Sequence, residues 1–308
     1  MNLTNLKQPP FNVTLMGVIR GALDHYGFKI TDAMAYGGSG HAFLVNIHEV
    51  ICPSGPYVWN YDRFIQLVRN LGLEMTDLGF MNAGRTTAER EQLEQTIRQY
   101  LDQGTPCSVC NMENQIVIGY ESDRFLLSQP WPGMDDLTPA TLTFGTWAEF
   151  GKEVHANFFT FKKIAPPAEI KAIRESLKYA VDLFANPGTY SMPNYGIGAL
   201  AYDNWAKAVE KGHGTSHGNW WNGQVWSECR SRAADYFAEI AGTVPVNAAA
   251  SARELSAAYR EIAAGLERIS DKEMVPAEKI RIIKDLKERE LNAVNSIKTL
   301  LKLIQGIR

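Results

Sequence analysis

Ile30-Thr31-Asp32-Ala33-Met34-Ala35-Tyr36-Gly37-Gly38-Ser39-Gly40-His41-Ala42-Phe43 is the stretch on which the reading of this chain turns. It places three glycines, a hydroxyl and an imidazole within Gly37 to His41. Without a Cβ, glycine lets backbone approach backbone or ligand where any other residue collides. Such a turn, set before the apolar run Ala42-Phe43-Leu44-Val45, implies close packing or a ligand. Upstream, Leu15, Val18, Ile19, Ala22 and Leu23 recur at helical spacing; Asn12 or Thr14 is placed to cap this helix, and Gly27 to stop it. Downstream, Phe43 to Val50 has strand character, and Asp62 to Leu71 reads as a short helix closed by Gly72. Thr86-Thr87-Ala88-Glu89 is a capping signature for a helix through Leu101, ended by Gly104.

The period then changes. Pro106 to Met112, Gln115 to Tyr120 and Arg124 to Ser128 read as consecutive short strands, with Glu121-Ser122-Asp123 as a hairpin turn. Ala156 to Lys162 is a later strand, and Ala165-Pro166-Pro167 is the best linker in the chain. Residues 1–164 therefore read as an α+β domain, helices first and an antiparallel sheet after them. Residues 165–308 read as an all-α helical bundle: Glu169–Ala185, Gly196–Lys211, Asn219–Ala241, Ala248–Ile269 and Pro276–Ile304. The last segment carries Ile280, Ile283, Leu286, Leu291, Val294, Ile297, Leu301 and Ile304 as one apolar stripe, read as packing on the bundle.

Composition narrows the function classes. The chain has 308 residues, 45% of them hydrophobic, and a formal net charge of −3. That charge argues against a nucleic-acid partner held by bulk positive charge. No apolar run approaches the roughly 20 residues a membrane helix needs, and the first ten residues lack a signal-peptide pattern. The expectation is a soluble, cytoplasmic protein with no membrane and no nucleic-acid partner. Four cysteines are too few for a disulfide framework. Cys107 and Cys110 form a C-x-x-C on a strand, which places their sulfurs on opposite faces, so they read as structural and not as a redox pair or half a zinc site. No phosphate loop, dinucleotide fingerprint or convincing metal set is present, so no cofactor is expected.

Two further clusters are candidate sites. His41, His48, Glu49 and Cys52 lie around the rigid turn Cys52-Pro53-Ser54-Gly55-Pro56. Cys52 with His41 or His48 would make a thiol–imidazole pair; the alternative is a tight loop with one buried cysteine. In the second half, Tyr195, Tyr202, Trp205, His217, Trp220, Trp221, Asn222 and Trp226 bring aromatic rings and amides together. Such a set lines a pocket for a small polar ligand, or forms an aromatic core whose N–H groups need partners. His213 and His217 have helical ligand spacing, but the intervening glycine argues against a metal site.

The ordered set Gly21-Ala22-Leu23-Asp24-His25-Tyr26-Gly27, Asp32 to Gly40, Gly104-Thr105-Pro106-Cys107 and Ile116-Val117-Ile118-Gly119-Tyr120-Glu121 resembles the N-terminal domain of the butirosin-biosynthesis acyltransferases, over about residues 10 to 164. That family is related to papain-like cysteine peptidases. The resemblance implies a papain-like domain with a cysteine nucleophile heading the first helix, a histidine on a sheet strand and an orienting amide or carboxylate on the next. Aligned on those motifs, the nucleophile position falls on Thr14, the histidine on Glu113 or Asn114, and the third near Ser128-Gln129. The nucleophile and histidine positions do not carry the family's expected side chains.

The reading is thus a papain-like α+β domain followed by a helical domain, with a cleft for a small-molecule, acyl or peptide ligand and no preserved Cys–His pair. Thr14, Glu113, Gln129, Cys52 and His41 are the catalytic candidates. Asn12, Ser39, His48, Tyr195, Trp205, His217, Trp220 and Asn222 are the ligand-binding candidates. One alternative is an active acyltransferase or amide hydrolase using Cys52 or Thr14 with Glu113. Another is an interaction subunit, including a homo-oligomer, acting through the C-terminal helices.

Overall fold

The computed structural model describes residues 1–152 and 154–306. In chain order the elements begin with α1 (Thr14–His25), α2 (Asp32–Gly38), β1 (Asn46–His48), α3 (Asp62–Val68), β2 (Leu73–Asn82) and α4 (Thr87–Asp102). Strands β3 (Cys107–Cys110), β4 (Asn114–Tyr120), β5 (Arg124–Leu127), β6 (Thr141–Thr143) and β7 (His155–Lys163) follow. The remainder is α5 (Glu169–Ala185), β8 (Tyr195–Ile197), α6 (Ala199–Glu210), α7 (His217–Ile240), α8 (Val246–Ile269) and α9 (Pro276–Ile304). The chain is α+β, with antiparallel sheets and a helical C-terminal half.

These elements form two compact units. One comprises Met1–Ile30 and Leu71–Pro166; the other comprises Thr31–Asn70 and Pro167–Arg308. The segment Thr31–Asn70, read in the sequence as part of the first domain, therefore belongs with the C-terminal helices. Its apolar face explains this: Phe43 packs against Tyr236 and Phe237 of α7 and Tyr259 of α8.

In the α+β unit a six-stranded antiparallel sheet has the order β2-β7-β3-β4-β5-β6. β3 lies between β7 and β4, with Cys107 opposite Val117 and Cys110 opposite Asn114. Helix α1 packs on β4, where Gly21 is needed: a Cβ there would stand 2.4 Å from both the Lys7 carbonyl oxygen and Ile116. Helix α4 starts with the expected capping box, the Thr86 hydroxyl accepting from the Glu89 N–H and the Glu89 carboxylate from the Thr86 N–H. Neither Asn12 nor Thr14 occupies the cap position of α1, however. Val13 occupies the cap position without a side-chain bond, and Thr14 is the first helical residue.

In the helical unit, Asp32–Gly38 is a helix and not an open turn, capped by the Thr31 hydroxyl accepting from Met34 N–H at 3.1 Å. The glycines in the quoted stretch serve packing. A Cβ on Gly37 would lie 2.1 Å from the ring of Tyr236, which is held in place by its hydroxyl bond to Ser176 at 2.9 Å. Gly40, at φ +78°, turns the chain into a 3₁₀ segment at His41–Phe43, so only Asn46–His48 of the expected strand is extended. That short strand pairs with β8, Asn46 opposite Ile197 and His48 opposite Tyr195. Helix α9 is buried inside the unit through Ile282, Ile283, Leu286, Ala293, Val294, Ile297, Leu300 and Ile304, while Ile280, Leu291 and Leu301 of the expected stripe are half-buried. No helix among the described residues is long and apolar enough to cross a membrane.

Gly37→Ala is expected to lower unfolding free energy by about 2–3 kcal/mol, the cost of overpacking a fixed ring. Gly188→Ala, where a Cβ meets nothing within 4 Å, is the control and should change it by under about 0.5 kcal/mol. Denaturant unfolding of the two variants measures the difference.

Candidate functional site

The head of α1 and the start of β4 form a buried polar cluster in the α+β unit. Thr14 and Glu113 are 1% and 6% exposed, and the Thr14 hydroxyl donates to Glu113 Oε2 at 2.7 Å. The Asn114 N–H donates to the same hydroxyl at 3.1 Å, and Asn114 Nδ2 approaches it at 3.4 Å. The Thr14 oxygen is thereby fixed as donor to a carboxylate and acceptor from a strand amide. A helix start places a side chain here because α1 runs onto β4 across Gly21 and Ile116.

Gln8, which the sequence did not single out, is the second organiser. Its Nε2 donates to the Asn114 carbonyl at 2.7 Å and the Thr14 carbonyl at 3.3 Å, while its Oε1 accepts from Ile116 N–H at 3.0 Å. The only sequence signal for it is position, a polar residue just before the Pro9-Pro10 pair ahead of the helix. Cys110 completes the group: burial pushes its thiol up, and the Glu113 carboxylate pushes it further. Cys107 faces the other side of the sheet, where burial raises its thiol to about 12.

The third expected position divides. Ser128 reaches the cluster, its hydroxyl accepting from Gln8 N–H at 3.3 Å. Gln129 instead donates to Asp135 at 2.7 Å and to the Thr138 carbonyl at 2.5 Å, bracing its own loop. Asn12 is half-exposed ahead of α1, with its carbonyl accepting from Thr14 N–H at 3.1 Å.

The remaining candidates lie in the helical unit and form two groups. His41 is buried, edge-on to Trp59, Phe64 and Tyr36, with Nδ1 3.6 Å from the sulfur of Cys229. Its cysteine neighbour is thus Cys229 and not Cys52, because the 3₁₀ turn sends the ring inward. Burial, and after it the Arg230 guanidinium, lowers His41 to about 3. Ser39 is buried beside it, donating to the Tyr36 carbonyl.

Cys52 sits elsewhere, half-buried in a loop stacked on the first turn of α7. A Cβ on Gly218 would lie 1.9 Å from the Ile51 carbonyl oxygen, and Asn222 donates to the Cys52 carbonyl at 3.1 Å. Ile51 has φ +51°, unusual for a β-branched residue. Around this loop the Tyr195 ring stands edge-on to His48 at 4.8 Å, and its hydroxyl lies 2.7 Å from that of Ser54.

The aromatic–amide set is mostly core. Trp205 donates to Asn219 at 2.9 Å and Trp226 to Asn222 at 3.0 Å, so Trp205 and Asn222 satisfy internal partners. His217 is exposed and packs on half-exposed Trp220, over which Lys272 also lies. Among the described residues no group of three or more His, Cys, Asp or Glu side chains is gathered to hold a metal ion. No protein-family model matches the chain, and no curated protein matches it.

Thr14→Val should cost about 1–3 kcal/mol by removing a hydrogen bond to a buried carboxylate, whereas Thr14→Ser should retain most of the stability. His41 sets a pH dependence. Below pH 6.5 the unfolded chain binds a proton that the folded chain refuses until about 3, so stability falls as pH drops through that window. Relative to His41→Gln, the wild type should lose about 2 kcal/mol between pH 7 and pH 5, measured by urea unfolding at each pH.

Proposed function

We propose that this protein is a binding protein built on a papain-like domain of the butirosin-acyltransferase type, in which a hydroxyl–carboxylate contact replaces the catalytic thiol–imidazole pair. The observation that carries this reading is the 2.7 Å bond from Thr14 to Glu113 at the head of α1. The nucleophile and histidine positions implied by the resemblance are in contact, yet neither holds the side chain that acyl transfer requires. A threonine hydroxyl is a weak nucleophile unless a neighbouring base takes its proton into the reaction. Here its oxygen also accepts from the Asn114 N–H, which lowers the electron density available for attack.

The surroundings support the same reading. Stabilising a tetrahedral oxyanion needs free N–H donors aimed at it. The two Nε2 hydrogens of Gln8 are spent on the Asn114 and Thr14 carbonyls. The neighbouring Cys110 thiol is held protonated by burial and by Glu113. A helix head tied to the sheet by a linked set of side-chain and backbone bonds suits a rigid support for a small-molecule, acyl or peptide ligand better than turnover. We place the protein in the cytoplasm, without a nucleic-acid or membrane partner.

A second reading is favoured by one observation: Cys52 is a half-buried thiol in a loop braced by Asn222 and neighboured by Ser54 and Tyr195. It makes the protein an acyltransferase or amide hydrolase working through Cys52. Intact-mass spectrometry after incubation with p-nitrophenyl acetate and an acetyl thioester separates the readings. The binding-protein reading predicts no adduct on either residue and hydrolysis at the buffer rate, with a ligand from an acyl, amine and peptide panel raising Tm. An adduct on Thr14 that disappears in Glu113→Gln overturns it, and one that disappears in Cys52→Ala transfers the function to the second reading.

A further inference from the structure

Two charged residues interrupt the apolar faces of α7 and α9. Arg230 stands at helical spacing between Trp226 and Ala234, and Glu290 between Leu286 and Val294, all of them buried. The side chains of Arg230 and Glu290 are both 0% exposed and pair through Arg230 Nε and Glu290 Oε1. The Tyr202 hydroxyl donates to that same carboxylate oxygen at 2.9 Å. Arg230 Nη1 donates to the carbonyls of Ala42 and Leu44 at 2.9 and 2.8 Å. The network thus joins α6, α7, α9 and the turn that follows the glycine-rich helix.

Two polar atoms of this pair remain without a protein partner: Arg230 Nη2 and Glu290 Oε2. The bond between Nε and Oε1 keeps them on one contact, since each is attached through a single carbon to one of the bonded atoms. A buried charged donor and acceptor left unsatisfied carry an uncompensated desolvation penalty. Asn46 Oδ1 and the Tyr179 hydroxyl of the same unit are also buried without a partner, whereas Lys279 Nζ donates to the Gly214 and Asp271 carbonyls at 2.6 and 2.7 Å.

We propose that the Arg230–Glu290 contact is a binding site for one internal water, which accepts from Arg230 Nη2 and donates to Glu290 Oε2. The charges select the guest. An anion drawn to the guanidinium meets the carboxylate, and a cation drawn to the carboxylate meets the guanidinium. An apolar guest satisfies neither atom. A neutral molecule able both to donate and to accept satisfies the two together, and buried waters typically make two to four such bonds.

A crystal structure of the wild-type protein tests this. The expected result is a density peak within about 2.7–3.2 Å of both atoms, refining as water. Oxygen-17 magnetic relaxation dispersion should then count one long-lived water more in the wild type than in the Arg230→Met/Glu290→Met double variant. Direct pairing of Nη2 with Oε2 and no peak between them overturns the proposal, as does a halide identified by anomalous scattering. If the double variant does not fold, the wild-type density decides alone.

Discussion

The hydrogen bond from Thr14 to Glu113 fixes how the first helix meets the sheet in the α+β unit. A hydroxyl and a carboxylate buried together gain by bonding one another, because both are largely removed from bulk water. Asn114 and Gln8 extend the same requirement along β4, so backbone and side chains of residues 8, 14, 113, 114 and 116 form one connected set. Moving α1 by a single residue would break several of these bonds at once. The head of α1 is thereby a structural joint.

The helical unit meets a related constraint by different means. Where backbone must come close, the side chain is removed, as at Gly37 under the Tyr236 ring and Gly218 under the Ile51 carbonyl. Where polar groups must be buried, they are matched in pairs, indole to amide at Trp205–Asn219 and Trp226–Asn222. Arg230 with Glu290 is the charged version of the same device. Replacing such a pair by apolar residues is often neutral in stability, whereas removing one partner is costly. The pair is therefore better understood as fixing helix register than as a large source of stability.

Much of the architecture was legible because periodicity and caps are local. The capping box at Thr86–Glu89, the strands β3, β4, β5 and β7, and the helices from α5 to α9 all announced themselves through residues within one element. β2 was not legible, because Asp77 and Gly79 interrupt the alternation that Leu73 to Thr76 begin and pairing with β7 holds it extended. β8 was absorbed into the following helix for a similar reason, since its three residues become a strand only by pairing with β1. The grouping of residues 31–70 with the C-terminal helices depends on contacts nearly 200 residues away, such as Phe43 with Tyr236. Site residues followed the same rule. Thr14 and Glu113 were reachable through ordered motifs, while Gln8 and the His41–Cys229 contact leave no local pattern. Glu290 left one faint sign, a carboxylate on the buried stripe of its helix.

A double-mutant cycle over Thr14→Val and Glu113→Gln, read by equilibrium unfolding, tests the central claim most directly. If the two side chains share one buried hydrogen bond to a charged group, the coupling energy should be about 1.5–3 kcal/mol. Additive effects, with coupling indistinguishable from zero, would contradict the joint at the head of α1 and the function argued from it.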